Sequence, residues 1–265
     1  MKKSKLLLIF IFVFMCIMFY PLSGEEELLD NGYPKPYSNY VNDYASVMDK
    51  TDAELIIQKF AELRKKEGIE GVVVTVKSFK DYRTPDKTIE EFATNLFNTW
   101  GVGDGKKNNG FMILFAKGDR KCRIELGKGY GRIYDAKMKQ ILDEKMIPLF
   151  QRVLYSRGIY EGSMAVPEEL SRNPSTGEKL SFYKWQIIFI IIAVLLLAAG
   201  ISCFISGKKG WGWVFFAVLG ALLMFVLGML AKIAASGPSG GGKSFGGGVS
   251  FGGGSSFGGG ATGSW

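Results

Sequence analysis

Histidine is absent from this chain, and the absence closes off several chemistries at once. Ser-His and Cys-His nucleophile pairs cannot be assembled, and neither can a histidine-based zinc site. Cysteine is nearly as scarce, with Cys16, Cys122 and Cys203 far apart. Only Cys122 falls between residues 39 and 173, so that stretch can form no internal disulfide. A basic excess is missing from the soluble part too. The net charge is +8, yet between Glu25 and Leu180 the 25 Asp and Glu are matched by 25 Lys and Arg. The excess is lysines 2, 3, 5, 184, 208, 209, 232 and 243, which flank or follow apolar segments. That pattern fits interface anchoring and gives no support to a nucleic-acid partner. Site chemistry is left to carboxylates, Lys, Arg, Asn, hydroxyls and backbone amides.

Long apolar runs and glycine are what the chain has in quantity. Gln186 to Ile205 and Trp211 to Ala231 are each long enough to cross a hydrocarbon layer of about 30 Å. Only Ser206-Gly-Lys-Lys-Gly210 separates them, which predicts an antiparallel transmembrane hairpin over 185–206 and 211–233. Lys208 and Lys209 put the 206–210 link on the cytoplasmic side, so the expected location is the cell membrane, multi-pass. The flanking domain and tail are then extracytoplasmic. At the other end, Lys2, Lys3 and Lys5 precede an apolar stretch from Leu6 to Tyr20 and then Pro21-Leu-Ser-Gly24. Residues 1–24 read as a secretory signal peptide, with an uncleaved signal anchor as the other reading. Residues 236–265 repeat Ser-Phe-Gly-Gly-Gly from Ser244, Ser250 and Ser256 and end at Trp265. Glycine dominates there and apolar residues are few, so a disordered Gly/Ser/Phe-rich tail is expected. The lipid bilayer is one expected partner, and a membrane or envelope protein the other.

Residues 25–38 read as an acidic, then Pro-rich linker, and 39–173 as one domain of ordinary size. Leu55, Ile56, Phe60 and Leu63 recur at helical spacing after the Asp49-Lys-Thr-Asp52 start, and Gly68 ends that helix. Gly71 to Val76 is a β-branched run suited to a buried strand. A second helix opens at Thr88 and presents Ile89, Phe92, Ala93, Leu96, Phe97 and Trp100 on one face. Phe111 to Ala116 and Lys121 to Leu126 form a hairpin, with Cys122, Ile124 and Leu126 on its core face. A helix begun at Asp135 is broken by Pro148, and a last one lies near Tyr160 to Ser171. The order predicts an α/β domain, a single mixed sheet flanked by helices.

Several ordered motifs carry a family resemblance. Val41-Asn-Asp-Tyr-Ala45, Trp100-Gly-Val-Gly, Asn109-Gly110, Asp119-Arg-Lys121 with Arg123-Ile-Glu125, Gly127-Lys-Gly129-Tyr-Gly131 and Asp135 resemble the TPM domain. That family includes a thylakoid-lumen acid phosphatase and bacterial membrane proteins of similar plan, with a signal peptide, membrane segments and a Gly/Ser/Phe tail ending in Ser-Trp. The resemblance implies Ca²⁺ binding and, in one branch, phosphomonoester hydrolysis. Asp43, Asp104, Glu125 and Asp135 lie in or beside turns and offer oxygen ligands to a hard cation, Ca²⁺ or Mg²⁺. Asp43, Arg120 and Asp135 are the catalytic candidates, with Arg120 able to clamp a phosphate. The competing reading makes Asp43 and Asp135 caps and pairs Glu125 with Arg123 or Arg120. Gly101-Val-Gly-Asp-Gly precedes a strand instead of a helix, so no nucleotide cofactor is expected. Two functions stay open: a binding or assembly module for membrane or envelope proteins, and a metal-assisted phosphatase.

Overall fold

A computed structural model describes residues 27–172 and 242–265, together with isolated positions between 188 and 224. The signal segment 1–24, the 206–210 link and most of the two apolar runs lie outside the described residues. No helix of the described residues is long and apolar enough to cross a membrane.

The first strand, β1 (Val41–Asp43), is short and precedes the helix whose spacing is the first pattern visible in the sequence. Helix α1 (Lys50–Glu67) buries Ile56, Phe60 and Leu63 along one stripe. Arg64, Lys65 and Lys66 in its last turn suit the negative end of the helix dipole. Gly68 ends it at φ 68°, and its N–H returns to the Arg64 carbonyl. A Cβ there would meet nothing within 4 Å, so backbone conformation, not space, selects glycine. Strand β2 (Gly71–Val76) is buried throughout. Helix α2 (Ile89–Trp100) opens on a capping box, in which Thr88 accepts from Glu91 N and the Glu91 carboxylate accepts from Thr88 N. The hairpin of β3 (Phe111–Ala116) and β4 (Lys121–Leu126) forms over the expected residues, and its register pairs Ile113 with Ile124 and Phe115 with Cys122.

Helix α3 (Asp135–Ile141) widens into a π-helical turn at Leu142–Met146 before α4 (Ile147–Gln151). Pro148 sits at the start of α4, where its missing N–H is tolerated, and the wide turn absorbs the mismatch upstream. The chain continues instead of breaking at that proline. Helix α5 (Tyr155–Ser171) closes the contiguous part of the fold.

The sheet runs β1-β2-β3-β4 and then a fifth strand, Gly259–Ser264, parallel over its first three strands and antiparallel after that. One face, with Val73, Ile113, Phe115 and Ile124, packs against Phe60 of α1, Phe150 of α4 and Ile159 of α5. The other, with Val72, Val74, Met112 and Leu114, packs against α2. Strands β1, β2 and β3 follow one another across the sheet while α1 and α2 cover opposite faces. The two crossovers are therefore of opposite hand, and one departs from the right-handed rule. Connections leaving β1 and β2 for opposite faces also open a crevice at their carboxyl ends.

Two boundaries need correction. Residues 25–38 are not simply a linker: Leu28 bridges to Pro34, Tyr33 is buried against Phe92, and Trp100 Nε1 donates to the Pro34 carbonyl at 2.9 Å. The tail is not a disordered spacer where it is described. Within 242–265, β5 (Lys243–Ser244) and β6 (Ser250–Phe251) pair with each other, and β7 (Gly259–Ser264) is the fifth strand of the main sheet. Glycine cannot build a core of its own, but it can lie flat on a core that already exists.

Candidate functional site

The tail occupies a groove on the domain, and polar groups buried in the domain hold it. Lys243 Nζ donates to the carbonyls of Asn98 and Thr99 at 3.0 and 2.8 Å. Asn39 Oδ1 accepts from Ser250 N at 2.8 Å, and Glu70 Oε2 accepts from Gly252 N at 3.1 Å. Between those contacts Phe251 is buried and stacks on Trp100, centroids 5.8 Å apart and planes 15° apart. Asn108 Oδ1 accepts from both the N–H and the hydroxyl of Ser255, at 2.9 and 3.0 Å. Asn98 Oδ1 accepts from Ser256 N at 2.7 Å. The Ser256 hydroxyl lies 2.5 Å from Glu125 Oε1 and 2.6 Å from the Leu126 carbonyl, so its single proton serves one of them at a time.

Beyond Ser256 the recognition passes to β4. All six residues of β4 find partners in β7, from Lys121 opposite Ser264 to Leu126 opposite Gly259. Arg123, though on a strand and 4% exposed, is not wasted in the core. Its guanidinium donates to Glu125 Oε2 at 2.6 Å, to Thr262 Oγ1 at 3.0 Å and to the Gly258 carbonyl at 3.0 Å. Asp135 Oδ1 accepts from Gly260 N at 2.7 Å. The tail ends in an aromatic contact: Trp265 stacks on Phe115 at 5.0 Å and 13°, and leans on Phe150 at 4.7 Å. Two glycines show why the segment has this composition. A Cβ on Gly254 would stand 2.2 Å from the Val102 carbonyl oxygen. One on Gly260, at φ 118°, would stand 1.9 Å from the Ile124 carbonyl oxygen.

The four candidate metal carboxylates are dispersed along this groove instead of being gathered. Asp43 lies at the carboxyl end of β1, where Oδ1 accepts from Val47 N at 3.1 Å and Oδ2 from Met48 N at 2.9 Å. The Thr75 hydroxyl also donates to it. Asp104 is in an exposed loop that bridges to Gly253, and its Oδ1 accepts from the amides of Lys106 and Lys107. Those amides, Lys107 first, hold its carboxyl below the usual range. Glu125 and Asp135 bind the tail as described. Burial pushes the Glu125 carboxyl up, against the opposing influence of Arg123, Ser256 and Thr94. Burial likewise raises Asp135, with the Gly260 amide working against it. Register separates Asp43 from Glu125 along the sheet: Asp43 aligns through Thr75 and Phe115 with Cys122, three residues before Glu125. Among the described residues no group of three or more His, Cys, Asp or Glu is placed to hold a metal ion. One shell drawn from all four carboxylates does not fit this geometry. The turn-cap reading describes the Asp43 contacts and the ion-pair reading those of Glu125 with Arg123, whereas Asp135 caps no helix and instead accepts from the tail amide of Gly260 and pairs with Arg132.

Arg120 contributes its carbonyl, which accepts from Trp265 N at 3.4 Å, in a hairpin turn at φ 49°. Cys122 is fully buried and burial pushes its thiol far up, so it is no nucleophile. Asp43 borders a cleft of about 710 Å³, also lined by Lys35, Tyr37, Tyr44, Lys77 and the tail residues Phe245 and Val249. This cleft is the crevice at the carboxyl ends of β1 and β2. Asn39, Glu70, Asn98 and Asn108 were missed by sequence reasoning. Their signal is faint, because Asn39, Glu70 and Asn108 stand shortly before strands and Asn98 in the last turn of α2, where a polar residue is unremarkable.

The TPM domain model matches residues 41–169. No curated protein matches the chain. Among solved structures, the N-terminal domain of a protein from P. gingivalis is 28% identical, with a TM-score of 0.44 over 52% of this chain and 88% of that one. The N-terminal domain of the cg2496 protein from Corynebacterium glutamicum is 16% identical, with a TM-score of 0.39 over 56% and 92%. Residues 41–169 of this chain are a TPM domain.

Proposed function

We propose that this chain is a membrane-anchored, extracytoplasmic binding module that serves assembly or quality control of membrane or envelope proteins. The observation that carries this reading is the groove. An extended segment is held by main-chain pairing to an edge strand, by buried Asn, Glu and Arg side chains, and by two aromatic contacts. Strand addition of this kind is a recurring mode of peptide recognition. Anchoring draws on the two apolar runs and their lysine flanks.

A second reading, phosphomonoester hydrolysis, draws on one observation, the cleft beside Asp43 with Lys35 and Lys77 on its walls. Against it stands the engagement of the acidic candidates: both Asp43 oxygens accept main-chain hydrogens, and Glu125 and Asp135 hold the tail. The test is the full chain in detergent against a phosphomonoester panel, with and without Ca²⁺ or Mg²⁺. No turnover and no metal-linked rise in Tm agree with the binding module. Metal-dependent turnover lost in Asp43→Ala and Asp135→Ala overturns it.

A further inference from the structure

The groove specifies its occupant closely. Four buried polar side chains of the domain, Glu70, Asn108, Arg123 and Glu125, direct hydrogen bonds at tail atoms. Gly254 and Gly260 pass where no side chain fits, Phe251 covers Trp100, and Trp265 covers Phe115. A ligand must therefore be an extended, glycine-rich strand with a serine pair and two aromatics at set spacings. A second copy of this chain carries that strand.

Nothing in the contacts requires the strand to come from the same chain. Tail and domain are joined only through segment 173–241, and the cost of closing a loop grows with its length. A long connection lowers the effective concentration of the tail at its own groove. Docking in trans would reproduce every hydrogen bond and ring contact, the condition under which strand exchange is a low-cost route to assembly. We propose that copies of this protein exchange their tails, so that β7 of one chain pairs with β4 of another. The proposal rests on the binding-module reading and names the ligand of the groove.

The register supplies the test. Lys121 and Ser264 are direct cross-strand partners, at a spacing a disulfide can bridge. Two full-length variants are co-expressed in a Cys16→Ser/Cys203→Ser background, one with Lys121→Cys and the other with Ser264→Cys. Neither can close the bond within one chain. The expected result is an oxidised heterodimer that appears only when both are present, and that is lost when Gly254→Val and Gly260→Val are added to the Ser264→Cys chain. The double variant Lys121→Cys/Ser264→Cys reports whether the pair oxidises at all, and its groove and tail are otherwise unaltered. If it oxidises only as a monomer while the mixture gives no heterodimer, docking is strictly in cis and the proposal fails. A heterodimer that survives the glycine substitutions also overturns it. Phosphatase turnover would sink the binding-module reading and leave the cross-link result unchanged.

Discussion

Arg123→Met removes the cation from a buried ion pair that also binds the tail. The two side chains are 5% and 0% exposed, with Arg123 Nε 2.6 Å from Glu125 Oε2. Methionine keeps much of the stem volume but leaves the carboxyl without a counter-charge. Breaking a buried pair from one side costs about 3–5 kcal/mol. For a chain of this size that corresponds to a fall in Tm of roughly 6–20 °C. The pH dependence has a definite sign. Burial already raises Glu125, and Arg123 leads the groups that oppose it. Without Arg123 the folded-state value rises further while the unfolded value stays put. Between those two values the folded variant holds a proton that the unfolded chain releases, so its stability falls as pH rises. The deficit against the native protein is larger at about pH 8 than at about pH 5. Arg123→Met/Glu125→Met should recover most of the loss, because an apolar pair leaves no charge buried. Tryptophan fluorescence melts give Tm, and hydrogen exchange at the β7 amides shows whether the tail loosens first. A Tm drop under ~2 °C, equivalent to less than about 1 kcal/mol, refutes the reasoning. So does a deficit that shrinks with rising pH.

Other outcomes follow from single contacts. Trp265→Ala gives up the stacks on Phe115 and Phe150 and should cost roughly 1.5–3 kcal/mol in urea denaturation. A tail that touched nothing would show no change. Thr88→Ala dismantles the capping box of α2 and should cost about 1 kcal/mol, while Thr88→Ser retains most of it, as judged by the same titrations. In a Cys16→Ser/Cys203→Ser background, Cys122 should resist a thiol reagent until the domain unfolds, since it is fully buried and its thiol is pushed up. Labelling faster than unfolding, followed by mass spectrometry, would contradict that burial.

The parts legible in the sequence were those governed by local pattern. Thr88 with Glu91, the apolar stripe from Ile89 to Trp100, and Gly68 after a basic last turn each announce a helix end or face. The alternation of Cys122, Ile124 and Leu126 marked the core face of β4. What escaped depends on contacts distant in the chain. Arg123 and Glu125 occupy the other face of β4, where alternation alone suggests solvent, yet α2 and the tail cover them. The tail was misread because its glycines lack side chains to show a pattern. Their information lies in what surrounds them, such as the carbonyls of Val102 and Ile124. Tyr33 and Pro34 were similarly hidden in a stretch whose prolines suggest a linker.

The pairing of β4 with β7 also constrains the chain between them. Arg172 and Gly242 both belong to one folded body, so segment 173–241 connects two points of that body. A path with both feet on the same ground crosses any intervening sheet of lipid an even number of times. Under the proposed anchoring this segment therefore cannot make a single pass, and two passes are the smallest number above zero. The same parity holds if the tail docks on a neighbouring copy anchored in the same orientation. If the two apolar runs cross a bilayer as proposed, deleting one while keeping the other would strand β7 across the barrier from β4, however intact each strand remained.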